Sequence, residues 1–283
     1  SNLSLLATVA PRRPGWRRHL PAALTALAMA ALILGLAGPT RQVRVPKKAA
    51  TVMLVLDMSA SMEAVDVSPS RYQAAISAAK TFVSDLPDQV RVGLISFDRR
   101  PQVVASPTAD HQAVLDGLDQ LTVGPGTAAG DALYAALDAI AGAEQAAGIT
   151  PGEGDKGAAV VLLSDGVTTV GSPVVAAAQQ AADRGIPIST IAFGTDAGTV
   201  DVQGRVIAVP ADPDTMAQVA ELTAGRFFEA VTAEELRSVY EDIGARVGYE
   251  TTTRDASGGV LAVGAFALAG AFGLGLAWNG RLI

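Results

Sequence analysis

Two uncharged apolar runs bracket the chain, Leu20 to Gly38 and Gly258 to Trp278. At a rise of about 1.5 Å per residue, a helix of the first run's length reaches roughly 28 Å, close to the hydrocarbon thickness of a bilayer. Each run therefore predicts a membrane-spanning helix. Pro21 falls in the first turn of its helix, where the missing N–H does no harm, and Trp278 falls where an interface would lie. Gly264, Gly270, Gly273 and Gly275 give the second run a small-residue spacing that allows close helix packing in lipid. Buried soluble helices and, for the first run, a cleavable signal peptide are the competing readings. The first run is longer than the usual apolar core of a signal peptide, roughly 7 to 15 residues, and it follows a long basic leader, so a retained anchor is expected. The chain begins at Ser1, and an expected further segment would precede it.

Between Ala50 and Thr253 the pattern changes to short β-branched apolar runs alternating with Ala-rich segments of helical period. That alternation predicts an α/β fold with a doubly wound, mostly parallel, Rossmann-like sheet covered by helices on both faces. The predicted strands are Thr51 to Leu56, Val90 to Phe97, a short edge strand Gln102 to Ala105, Ala158 to Leu163, Ile188 to Phe193 and Arg226 to Ala230. Helices are predicted from about Ser70, with Ser68 or Ser70 as N-cap, and over His111 to Leu121, Asp131 to Ala143, Pro173 to Asp183, Asp214 to Thr223 and Ala233 to Val247. Val200 to Val209, centred on Gln203-Gly204, predicts a β-hairpin appended to the sheet. Thr150 to Lys156 reads as a surface loop. The organisation that follows is a leader 1–19, a span 20–38, a tether 39–49, a domain 50–248, a tether 249–257, a span 258–278 and a tail 279–283.

The hydrophobic share of 49% is high for a soluble protein, and the two apolar runs account for the excess. Charge is segregated. Residues 1–56 hold eight Lys or Arg and no acid, so the other 13 basic and 28 acidic residues leave about −15 on the rest. An acidic body of this kind argues against nucleic-acid binding, which needs a basic footprint. It fits a domain held beside an anionic membrane. Orientation is open, because Arg12, Arg13, Arg17 and Arg18 before the first span balance Arg41, Arg44, Lys47 and Lys48 after it, and Arg281 adds one charge at the other end. The absence of cysteine excludes disulfides and thiolate chemistry.

The candidate chemistry gathers at strand exits. Asp57-Met58-Ser59-Ala60-Ser61 follows the first predicted strand with one carboxylate and two hydroxyls. These hard oxygen donors suit Mg²⁺, Mn²⁺ or Ca²⁺, not zinc. In a sheet of order 3-2-1-4-5-6, the first and fourth strands are neighbours and ligands bind at their carboxyl ends. Asp165 ends the fourth strand, and the loop Thr122 to Gly130, which carries Thr127, can close over the same point. Each piece is weak alone, since Asp and Gly at a strand end favour turns. The Gly-rich loop lacks the Gly-Lys-Ser/Thr ending of a phosphate-binding loop. Glu63 and Asp66 read as solvated loop acids near the rim, and Asp131 as an early-turn acid favoured by its helix dipole. Asp98 has no partner role, and neither His19 nor His111 has a neighbour that would make it a base or ligand.

Asp57-x-Ser59-x-Ser61, Gly126-Thr127 and Ser164-Asp165-Gly166 together resemble the metal-ion-dependent adhesion site of the von Willebrand factor type A (VWA) domain. The resemblance covers roughly Lys48 to Gly248, with Gly124-Pro125-Gly126-Thr127 standing where the family usually has Gly-Gly-Thr. It implies a VWA fold in which Ser59, Ser61 and Thr127 are hydroxyl ligands and Asp57 and Asp165 are carboxylates that bind directly or through water. The implied ion is a divalent cation, Mg²⁺ foremost, with Mn²⁺ or Ca²⁺ as alternatives. The implied partner is a protein that supplies an Asp or Glu to that ion.

A single domain of this type between two spans further resembles bacterial membrane proteins of the BatA type, including actinobacterial relatives encoded near MoxR-type ATPases. That likeness implies a multi-pass protein of the cell membrane with an extracytoplasmic, metal-binding, non-enzymatic domain. The enzymatic alternative is a Mg²⁺ phosphohydrolase of the haloacid-dehalogenase type. It needs a second Asp two residues after the first, where this chain has Ser59, and no other nucleophile system is in view. A transporter subunit is disfavoured because neither span carries an ionisable residue.

Overall fold

The computed structural model describes residues 19–46, 50–148, 157–165, 168–195, 198–202, 205–209, 211–247 and 249–279. The chain forms two compact units, one comprising 45–250 and the other 1–44 with 251–283.

The larger unit is built on a six-stranded sheet of β2 (Thr51–Asp57), β3 (Arg91–Phe97), β4 (Pro101–Thr108), β5 (Ala158–Ser164), β6 (Ile188–Phe193) and β9 (Phe227–Ala230). Their spatial order is β4-β3-β2-β5-β6-β9. Numbered within the sheet this is 3-2-1-4-5-6, as the sequence predicts, and every pairing is parallel except β3 with β4. All seven residues of β2 are buried, which is why it reads as a continuous apolar run and not as an alternation. Its side chains divide by parity. Val52, Leu54 and Leu56 enter a core with α2 (Arg71–Asp85), α3 (His111–Asp119) and α7 (Ala233–Val247). Met53 and Val55 enter a second core with α4 (Ala129–Ala146), α5 (Val174–Asp183) and α6 (Pro213–Leu222). The predicted doubly wound α/β fold is the observed one.

The local signals explain the boundaries. Ser70 caps α2 by accepting a hydrogen bond from Gln73 N at 3.2 Å. The edge strand β4 runs eight residues, twice the predicted length, because its half-exposed pattern hides it. Pro101 and Pro107 are tolerated there because an edge strand has one unpaired side.

The hairpin is a correction. Strands β7 (Thr199–Val202) and β8 (Arg205–Ala208) form a sheet of their own and are not appended to the main one. The neighbours of β6 are β5 and β9, so the six-stranded sheet has no edge left there. Gly194, at φ +133°, turns the chain away. The turn at Gln203-Gly204 and the loop Thr150 to Lys156 lie outside the described residues.

In the smaller unit, α1 (His19–Leu36) and α8 (Ser257–Asn279) are long and apolar enough to cross a membrane. Most of their large side chains, among them Ile33, Leu34, Phe266 and Phe272, are exposed. The helices pack through small residues. A Cβ on Gly35 would sit 2.6 Å from Leu261 Cδ2, and one on Gly264 would sit 3.1 Å from Leu32 Cγ. The segments expected as plain tethers contain strands β1 (Thr40–Pro46) and β10 (Tyr249–Asp255), which pair with each other. A polar run such as Thr251, Thr252 and Thr253 carries no core face by which to recognise a strand.

Since the natural chain has no cysteine, Leu32→Cys combined with Gly264→Cys is expected to form an intramolecular disulfide under mild oxidation, read as a gel-mobility shift. Adding Gly35→Leu, which removes the close approach, should cut the yield severalfold. An unchanged yield would refute the packing described.

Candidate functional site

The site lies at the carboxyl ends of β2 and β5, the neighbouring strands at which the winding of the sheet reverses. The backbone continues the sheet across this edge. Met58 N donates to Phe97 O at 2.7 Å, Gly124 N to Met58 O at 2.8 Å, and Ala128 N to Asp98 O at 2.7 Å. Ser59 and Gly124 form a parallel bridge. Gly126, at φ +83°, then turns the loop so that Thr127 faces the crevice. A 3-10 turn over Ala60–Glu63 carries Ser61 to the same side.

The five residues singled out in the sequence meet here. Ser59, Ser61, Thr127 and Asp165 line a crevice of about 290 Å³ together with Ala60, Gly126, Thr169, Ala208 and Val209. Asp57 lies beneath it and is fully buried. Its Oδ1 accepts from Ser59 N at 2.8 Å and its Oδ2 from Ser164 Oγ at 2.5 Å. The hydroxyls of Ser59 and Ser61 are 2.9 Å apart. Ser164-Asp165 is described, whereas Gly166 is outside the described residues.

Burial, and after it the charge of Asp165, push the Asp57 carboxyl up from its ordinary 3.8 to about 7, against the lowering effect of the Ser164 and Ser59 hydrogen bonds. Two buried carboxylates that repel each other beside three hydroxyls form a hard-oxygen donor set that a divalent cation would neutralise. Among the described residues no group of three or more His, Cys, Asp or Glu is placed to hold a metal. A cation here would therefore rely on hydroxyls to complete the set, which fits Mg²⁺ better than a thiolate- or imidazole-seeking ion.

The sequence reading missed Arg71. Its guanidinium is fully buried at the start of α2. Nε and Nη2 donate to the two oxygens of Asp66 at 2.8 and 2.7 Å, and Nη2 also reaches the carbonyls of Thr195 and Val209 at 3.3 and 3.2 Å. Nη1 has no hydrogen-bond partner among the described residues and lies 3.6 Å from Asp165 Oδ2. Gly194 and Gly198 make the room, since a Cβ on either would fall within 2.3 Å of the guanidinium.

Asp66 is thus no solvated rim acid. Burial pulls its carboxyl upward, but the hydrogen bonds from Arg71 and Thr195 and the Arg71 charge outweigh it and hold the group at about 2. Asp57, Asp66 and Asp165 against Arg71 leave an excess of two negative charges when all are ionised, the charge of one divalent cation. Glu63 is exposed, as expected.

Other polar residues have structural partners. Asp131 accepts from Ser172 N at 3.0 Å and so fixes the segment after β5, a more specific role than a dipole acid. Thr169, also unforeseen, accepts from Thr127 N at 2.9 Å, while Thr127 O accepts from Thr169 N at 3.0 Å. The carboxylate of Asp98 accepts from Arg100 N, and His111 Nε2 bonds Val90 O at 2.8 Å.

A doubly wound sheet with a carboxylate-hydroxyl crevice at its switch point is the build of a VWA domain, and the family described as von Willebrand factor type A domain matches residues 52–167. The UPF0353 protein of Mycobacterium tuberculosis (strain H37Rv) is 43% identical over 290 residues, covering 100% of this chain and 85% of that protein. The UPF0353 protein of Mycobacterium leprae (strain Br4923) is 42% identical over 288 residues with the same coverage. This chain belongs to the UPF0353 family of VWA-domain proteins. Among solved structures, the conserved hypothetical protein BatB from Bacteroides thetaiotaomicron superposes with a TM-score of 0.59 at 25% identity, over 70% of this chain and 98% of that one. An aerotolerance-related membrane protein from Bacteroides fragilis shares the fold, with a TM-score of 0.60 at 24% identity over the same shares.

Replacing Arg71 by Met leaves Asp66, whose side chain is only 9% exposed, without its charge partner. This should cost about 3 kcal/mol, read as a fall in Tm of roughly 6–12 °C for a domain of this size. Asp57 gives a pH signature. A carboxyl whose folded value lies above its unfolded value destabilises the fold as pH rises from the unfolded value through the folded one. With EDTA present, Tm should therefore fall between pH 5 and pH 8 in the parent protein and fall less in Asp57→Asn. Parallel curves would remove Asp57 as the cause. Asp66 does not confuse the window, because its titration is complete below pH 5.

Proposed function

We propose that this chain is a membrane-anchored, metal-dependent protein-binding module of the bacterial cell envelope, and not an enzyme. Its metal is a divalent cation, Mg²⁺ foremost, held by Asp57, Ser59, Ser61, Thr127 and Asp165. The observation that carries the reading is the meeting of these five oxygen donors at one strand edge with two buried, mutually repelling carboxylates. Three neutral hydroxyls and two carboxylates leave a small hard cation short of its usual six oxygens. When bound, the ion offers that remaining position to a carboxylate from a partner protein.

The residues of the chain have distinct tasks in this reading. Ser59 N and Ser164 Oγ hold the Asp57 carboxylate in one orientation. Thr169, in the crevice wall, fixes the Thr127 backbone by accepting from its N–H. Arg71, 3.6 Å from Asp165, limits how much negative charge the ion meets. The phosphohydrolase alternative is disfavoured because the second acid it needs, two residues after Asp57, is Ser59 in this chain.

The two apolar helices support anchoring through two spans, so that the intervening domain lies on one side of the membrane and both flanks on the other. We assign the domain to the extracytoplasmic side and a MoxR-type ATPase system as a functional associate. Both follow the likeness to BatA-type proteins.

Calorimetric titration of Mg²⁺ or Mn²⁺ into the full chain in detergent should show one site, and Asp57→Ala with Asp165→Ala should abolish it. Absence of binding, or binding unaffected by the double variant, rejects the site. Phosphatase assays with Mg²⁺ should stay blank, and turnover lost in Asp57→Asn would favour the enzyme instead. Protease accessibility in intact cells reads the orientation.

A further inference from the structure

We propose that the crevice selects one kind of partner surface, an acidic side chain flanked by aliphatic residues, and that the β7–β8 hairpin is the element that reads the flanks. This rests on the metal-binding reading above and extends it from the ion to what surrounds it.

The size of the crevice sets the first limit. At about 290 Å³ it lies at the lower end of the roughly 300–1,000 Å³ typical of small-molecule sites, room for one side chain. Its lining sets the second. Beyond the donor residues and Thr169, the walls are Ala60, Gly126, Ala208 and Val209, and no Lys or Arg side chain lines it among the described residues. A phosphate or nucleotide is normally gripped by such cations. With the buried charges neutralised by a divalent ion, the metal alone is left to take an anion, and the remaining contact has to be apolar.

Two exposed valines continue that apolar wall beyond the crevice. Val206 stands two residues before Ala208 on β8 and so shares its face of the ribbon, with Asp201 as its cross-strand partner. Val206 is 73% exposed. Beside Gly126, Val170 is 38% exposed, and its Cγ2 lies 3.6 Å from where a Cβ on Gly126 would stand, a point that the exposed Arg99 also approaches with its Cα and Cβ at 3.5 Å. Its backbone N–H donates to Thr127 O at 3.3 Å, which keeps it beside that donor residue. One exposed valine on the hairpin and one beside Thr127, next to the donor residues, match a carboxylate with aliphatic neighbours.

The hairpin is also fixed at the site before any partner arrives. Arg71 binds the carbonyls on both sides of its stem, Thr195 and Val209. Asp66 accepts from Thr195 N and Oγ1, both at 2.9 Å. Val209 N donates to Gly198 O at 2.8 Å, and Asp212 N donates to Asp165 O at 2.6 Å. Val200, opposite Ile207, is buried and anchors the other face. A rim held this way loses little freedom on binding.

The test uses the full chain in detergent and three capped tripeptides, Leu-Glu-Leu, Ser-Glu-Ser and Leu-Gln-Leu, with binding defined as the part removed by EDTA in an NMR titration. With saturating Mg²⁺, Leu-Glu-Leu should bind about fivefold more tightly than Ser-Glu-Ser, and Leu-Gln-Leu should not bind. Val206→Ser with Val170→Ser should erase that ratio while leaving Mg²⁺ affinity and Tm as they are. Equal affinity for the two acidic peptides, a ratio that survives the double variant, equal binding of Leu-Gln-Leu, or no peptide binding to the metal-loaded protein each overturns the proposal. Failure to bind Mg²⁺ at all would instead overturn the metal reading beneath it.

Discussion

The structure depends on burying two carboxylates side by side at the top of its sheet. Asp57 ends a strand with no exposed residue, and Asp165 follows the strand hydrogen-bonded to it. Neither can retreat to water without breaking that edge. The cost is visible in Asp57, raised to about 7 by burial and by its neighbour. Much of the local architecture answers this constraint. Ser59 N and Ser164 Oγ donate to Asp57, Arg71 approaches Asp165, and hydroxyls, not further acids, fill the remaining wall. A fold that only needed stability would be served better by apolar residues of similar volume. The retained charge therefore points to a ligand.

Arg71 extends that constraint across the domain. A fully buried guanidinium must find partners for its donors, and here they are Asp66 and two carbonyls that belong to the hairpin stem. The cation that tempers the site is thus also the bolt that fixes the adjacent ribbon. Gly194 and Gly198 serve the same arrangement by omission, because any side chain there would occupy the space of the guanidinium. Asp66, Arg71, Gly194, Gly198 and Asp212 are far apart in sequence yet form one mechanical unit around Asp165.

That dispersion explains what could be read from the chain. Strand order was legible because β-branched runs and Ala-rich helices alternate without interruption. That the five residues would gather was legible because Asp57, Ser59 and Ser61 are local to one turn, while Thr127 and Asp165 sit at predictable strand and helix ends. Arg71 was not legible, since an Arg one residue after an N-cap serine looks like any solvated helix residue until the fold brings Thr195 and Val209 to it. Asp66 was misjudged for the same reason. Its loop context suggests water, and only its partners Arg71 and Thr195 show it held within the fold. The hairpin was found but attached to the wrong sheet, because pairing with β6 is decided by β9, more than thirty residues further on. The strand β10 had no apolar face to betray it, and β1 had only the two-residue alternation of Val43 and Val45.

A partner carboxylate arriving at a wet, isolated ion exchanges one set of oxygen contacts for another and gains little, since Mg²⁺ gives up its waters reluctantly. The aliphatic rim alters that balance. Contact between Val206, Val170 and aliphatic flanks would remove water from around the ion and lower the local dielectric, which strengthens the ionic contact at the centre. The same contact adds its own hydrophobic gain. Neither part suffices alone, because apolar surface without the ion offers no orientation, and the ion without the rim offers little selectivity. Joining a rigid ribbon to the Asp165 carboxylate through one buried arginine keeps the two parts in register, and that register is what the Arg71 cluster supplies.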